Sequence, residues 1–174
     1  MIPIRGLNSL HLEVGVSLII LTIYVNALVS NSFNAVFAQG GGEKKFTTTL
    51  SGKNEVPPKD TKATGSAEFT LSSDGKTIAY KVNVQDMDKV TMAHIHQGKA
   101  GENGPVVVVL FKANSPTGPE NGMLSQGNIT SDKLDGPLKG KQISDLVKLI
   151  GDGNAYANVH TQQNPKGEIR GQIK

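Results

Sequence analysis

The sequence predicts an all-β domain, an antiparallel sandwich or barrel of about eight strands with one short helix near 143–150. Three observations carry this reading. From Phe46 onward, short runs rich in Val, Ile, Thr and Tyr alternate with turn clusters at close spacing. Aromatic residues make up only 5% of the 174 residues, so the core must be built from β-branched and small aliphatic side chains that suit a pleated surface. Only one stretch after residue 38, Ile143 to Gly153, carries helical spacing, with Ile143, Leu146, Val147 and Ile150 on one face and a glycine stop.

The strand runs follow in order: FTTTLSG (46–52), SAEFTLS (66–72), TIAYKVNVQ (77–85), VTMAHIH (90–96), PVVVVLFK (105–112), MLSQGNIT (123–130), NAYANVHT (154–161) and GEIRGQIK (167–174). Between them, Asp74-Gly75 and Asn103-Gly104 supply hairpin chemistry, and Asn164-Pro165-Lys166-Gly167 pairs a proline with a glycine able to take positive φ. Val106 to Leu110 is apolar without alternation and is expected to be a central strand covered on both sides.

Residues 1–38 differ from the rest. The apolar run Val14 to Val29, with Arg5 before it and small Ala38 ahead of Gln39, reads as an export signal with cleavage after Ala38; uncleaved, it is long enough for a membrane anchor. Residues 39–45 read as a flexible linker, and 46–174 as the folded domain. The expected location is therefore extracellular or at the cell surface, with membrane contact only through an uncleaved N-terminal segment. Asn128-Ile129-Thr130 is a glycosylation sequon in such a chain.

Composition excludes several chemistries. Without cysteine there is no disulfide, thiolate zinc site, iron–sulfur cluster or cysteine nucleophile. The 18 basic and 15 acidic residues form no block of like charge and few aromatics could stack on bases, which argues against a nucleic-acid partner. No serine sits in a nucleophile elbow, and no phosphate-binding glycine loop follows a strand.

What remains is histidine. After residue 38 there are three, all in strand-like runs: His94 and His96 in AHIHQG, His160 in NVHT. Residues two apart on a strand share a face, so His94 and His96 stand side by side with Cβ atoms roughly 6 to 7 Å apart, a span one metal ion can bridge. If Ala93, Ile95, Ala157, Val159, Ile169 and Ile173 point inward, then Tyr156, Asn158, His160, Glu168, Arg170 and Gln172 point outward, and all three histidines emerge on the solvent side of the sheet. A hairpin of the last two strands would set His160 opposite Glu168 or Arg170 and give it a charged neighbour. Three imidazoles without thiolate suit copper, zinc or nickel, with copper the first choice.

The segments NEVPP (54–58), AHIHQGKAGENGPVVVVL (93–110) and NAYANVHTQQNPKGEIRGQI (154–173) resemble, in order and spacing, the CHRD (chordin) domain, in its short single-domain microbial form. The resemblance covers about 46–174 and says more of fold than of activity. A weaker resemblance is to copper/zinc superoxide dismutases, which are eight-stranded Greek-key barrels: AHIH is similar to their first copper-ligand element, NVHT to a later one and GEIRGQI to a C-terminal arginine segment. It implies a Greek-key order, His94, His96 and His160 as copper ligands, and Arg170 as a catalytic anion guide for superoxide or another small anion. The bridging histidine, the zinc loop and the cysteine pair of that family have no counterpart here, leaving a copper-only pattern. The alternative is a non-catalytic extracellular adhesion module without metal, in which Arg170 and Glu168 are an ordinary cross-strand ion pair.

Overall fold

The computed structural model describes residues 43–174, so the predicted signal or anchor, 1–38, and the first linker residues lie outside it. All eight strands form: β1 (Lys44–Ser51), β2 (Thr64–Leu71), β3 (Ile78–Met87), β4 (Val90–Gln97), β5 (Val106–Lys112), β6 (Glu120–Ile129), β7 (Ala155–Thr161) and β8 (Ile169–Gln172), with helix α1 (Ile143–Gly151) between β6 and β7. Strand β1 begins two residues before Phe46, because Lys44 and Lys45 continue the ladder opposite Leu71 and Thr70.

The strands make one sheet in the order β5-β4-β7-β8-β1-β2-β3-β6, every neighbouring pair antiparallel. The chain passes from β3 to β4 and from β6 to β7 by crossing over other strands, which is a Greek-key connection. The end strands β5 and β6 approach each other and almost close the sheet into a barrel. Tyr80 of β3 reaches across this seam, its hydroxyl donating to the Leu110 carbonyl at 2.7 Å.

Alternation places the core. Phe46 and Leu50, Ala67 and Phe69, Val82 and Val84, Ala93 and Ile95, Ala157 and Val159, and Ile169 and Ile173 fill the barrel, and Ile143, Leu146 and Ile150 of α1 bury the predicted helical stripe beside it. Helix α1 starts at a capping box between Gln142 and Asp145. Among the described residues no helix is long and apolar enough to cross a membrane.

Strand β5 departs from its expected place. It lies at an end of the sheet, and Val109 is 47% exposed. Its unbroken valine run has another cause: the pairing with β4 skips Leu110 and Val107, two bulges that turn consecutive residues inward.

Candidate metal centre

Strand parity is as the sequence predicts, but the exposure is not. His94, His96 and His160 point away from the barrel core, yet they are 6%, 8% and 6% exposed. Every residue of β7 is buried: Ala155, Ala157 and Val159 lie in the core, and segments 52–63, 97–105 and 162–168 bond to the residues of the outer face of β4, β7 and β8. Parity dictates which face a side chain takes; only the loops decide whether water reaches it.

The roof is tied down from below. Arg170 is 1% exposed; its Nη1 donates to Asn103 Oδ1 at 3.1 Å and its Nη2 to the carbonyls of Lys99 and Glu102 at 2.9 and 2.8 Å. Its guanidinium lies 3.4 Å over the Tyr156 ring, while the His96 ring stacks parallel to Tyr156 at 4.9 Å. Asn54 Nδ2 donates to the Arg170 carbonyl and Gln172 Nε2 to that of Gly98. Gly104 closes the loop against β4: a Cβ there would overlap the Gln97 carbonyl, so close backbone approach, rather than a simple hairpin turn, explains the Asn103-Gly104 pair.

Under this roof the three imidazoles converge, one ligand nitrogen from each lying within 4.8 Å of the others, and no carboxylate joins the group among the described residues. A carbonyl can only accept, so the contacts assign the tautomers. His96 Nδ1 donates to Gly104 O at 2.9 Å and His160 Nδ1 to Pro165 O at 3.0 Å, which leaves Nε2 of both rings unprotonated, with a lone pair to offer. His94 Nδ1 donates to His160 Nε2 at 3.1 Å, a hydrogen a metal ion would displace. His96 Nε2 is buried with no hydrogen-bond partner. Nitrogens bonded to one ion at ~2.0 to 2.1 Å sit roughly 3.3 to 3.5 Å apart, so small ring movements would complete the set.

The electrostatics keep these bases neutral. Burial pushes His94 down to about 4, with the neighbouring His160 and His96 adding to the effect. Burial also lowers His96, partly opposed by its bond to Gly104, and lowers His160, partly opposed by its bond to Pro165. Neutral imidazole is the form that binds metal.

With Arg170 opposite Asn158 and Ile169 opposite Val159, the register leads on toward Glu168 beside His160, but threonines take up its carboxylate. Arg170 pairs with Asn158, and the Glu168 carboxylate accepts from Thr161 and Thr61 at 2.6 and 2.8 Å. Nor do Arg170 and Glu168 form an ion pair; the acid whose charge acts on Arg170 is Glu55, from the NEVPP segment. Glu55 is 4% exposed, and burial raises its carboxyl to about 7 despite Arg170 and the Asn158 amide. Glu55, Tyr156 and Asn158 were not among the predicted site residues. Parity alone had set Tyr156 and Asn158 on the histidine face; nothing local marks Glu55.

No curated protein and no solved structure matches the chain. The model of the CHRD domain matches residues 46–173, from the second residue beyond the start of β1 to the residue after β8, and takes in the whole roofed histidine face; the chain belongs to the CHRD domain family.

Proposed function

We propose that this domain is an exported copper-binding protein whose ligands are His94 Nδ1, His96 Nε2 and His160 Nε2. The observation that supports the reading is the convergence of three neutral, buried imidazoles, two already oriented by backbone carbonyls that hold the hydrogen on Nδ1 and leave Nε2 as the metal-binding nitrogen. An all-nitrogen set favours copper among divalent ions, with zinc the next candidate.

Bound copper would supply a one-electron couple able to oxidise or reduce superoxide. The residues around it favour holding the ion over rapid turnover. Arg170, the proposed anion guide, lends its positive charge to the site, but it commits Nη1 and Nη2 to loop acceptors and lies beneath the roof. Storage or delivery of copper is therefore the primary role, with reaction toward superoxide or another small anion as the secondary one.

The test is elemental analysis of protein purified from its native compartment, together with copper titration of the full chain. One copper per chain, lost in a His160→Ala variant, is the expected result. A His160→Ala variant with full copper affinity would refute the ligand set. A superoxide assay of the loaded protein separates the binder from the enzyme.

A further inference from the structure

We propose that Asn158 is a fourth donor of the metal centre, its side-chain oxygen facing the position the three imidazoles leave open, and that Glu55 is a positioning residue that holds the Asn158 amide in that orientation. This rests on the copper reading above.

Asn158 lies in β7 between Tyr156 and His160 on the histidine face and is directly paired with His94 of β4. His96 and His160 are each two residues from that pair along their strands, so Asn158 stands at the centre of the face the ligands share. The residue is 3% exposed.

Its hydrogen bonding is incomplete in a specific way. Asn158 Oδ1 and His96 Nε2 are both buried without a partner, and the Asn158 amide lies against the His96 ring. Both atoms are acceptors, because His96 places its hydrogen on Nδ1 toward Gly104. Two acceptors cannot satisfy each other. A cation that takes both nitrogen and oxygen donors satisfies both at once, and copper(II) is such a cation.

An asparagine amide can turn either end toward the metal, so something must set it. The Glu55 carboxyl lies beside the Asn158 amide nitrogen and, as a carboxylate, accepts from its N–H end, which turns Oδ1 toward His96. Gly167, at φ 125°, makes the contact feasible: a Cβ there would overlap both Glu55 Oε1 and Asn158 Nδ2. The turn glycine of NPKG and the acid of NEVPP thus meet at one residue of NVHT.

The probe is Cu(II) alone, added at one equivalent to the full chain, read by chelator competition and by electron paramagnetic resonance. Asn158→Leu should weaken Cu(II) binding roughly 10- to 100-fold, the loss typical when groups supporting a metal site are removed. Asn158→Asp should keep the ion and shift the Cu(II) spectrum, since an anionic oxygen replaces a neutral one. Glu55→Leu should weaken binding, and Glu55→Gln, which still offers an acceptor to the amide, should restore it. A folded Asn158→Leu variant with wild-type affinity overturns the proposal. If that variant does not fold, Asn158→Asp decides alone, and an unchanged spectrum overturns it. A wild-type chain that binds no copper would instead refute the metal reading itself, an outcome distinct from either variant result.

Discussion

His94 Nδ1 and His160 Nε2 stand 3.1 Å apart although the two residues are not partners in the ladder: His160 is paired with Met92, and His94 with Asn158. The contact is a diagonal across β4 and β7, made between rings of adjacent strands on one face. It brings the later histidine to the His-x-His pair and sets one edge of the nitrogen triangle at a length an ion can bridge.

Removal of one corner should empty the site. His160→Ala is expected to lower copper affinity more than about 100-fold, beyond the loss that outer-shell changes cause. In the unchanged chain, free copper at 100 times its dissociation constant should add ~2.7 kcal/mol to unfolding free energy, and a chelator should reverse it. Thermal melts with copper, with chelator and in the variant check both statements.

The metal-free domain should lose stability in acid. Burial lowers all three imidazoles, His94 from 6.5 to about 4, so between those values the unfolded chain binds protons that the fold refuses. Glu55 acts in the opposite sense: raised from 4.5 to about 7, it favours the fold at low pH and withdraws that contribution as pH rises through the same window. The His94 and Glu55 shifts are of similar size and opposite effect, so the further lowering of His96 and His160 decides the sign, and urea midpoints at pH 5 should fall below those at pH 7. A His94→Asn substitution should flatten the difference.

Arg170→Met should loosen the roof. It removes three hydrogen bonds from a charged donor and the stack on Tyr156, and the expected cost is about 3 kcal/mol by denaturant unfolding. Amide exchange should rise first in residues 97–105. Arg170→Lys should recover little, because an ammonium cannot reproduce the planar fork that reaches Asn103 and two carbonyls together.

Gly104→Ala should damage both fold and site. The added methyl has no space beside the Gln97 carbonyl, and a loop shift would carry away the acceptor of His96 Nδ1. A destabilisation of about 3 kcal/mol is expected, accompanied by weaker copper binding. The same substitution at Gly118, where a Cβ meets nothing, should change neither.

Much of this was legible in the order of residues. Alternation in AHIH, NAYANVHT and GEIRGQI determined that the histidines share a face opposite the aliphatic core, because successive side chains on a strand point to opposite sides. The valine run of β5 misled for a definable reason: a bulge restarts the alternation, and nothing in Val106 to Leu110 announces where the extra residue falls.

Strand content, the helix near 143–150, the facing of His94, His96 and His160, and the membership of Asn158 on that face were determined by the sequence, since they depend on local periodicity. That these side chains are buried, that Glu55 rather than Glu168 answers Arg170, and that Asn158 Oδ1 is left without a partner beside His96 were decided by tertiary structure alone. Those relations depend on loops 52–63 and 97–105 closing over the sheet, and contacts between segments far apart in the chain have no period to read.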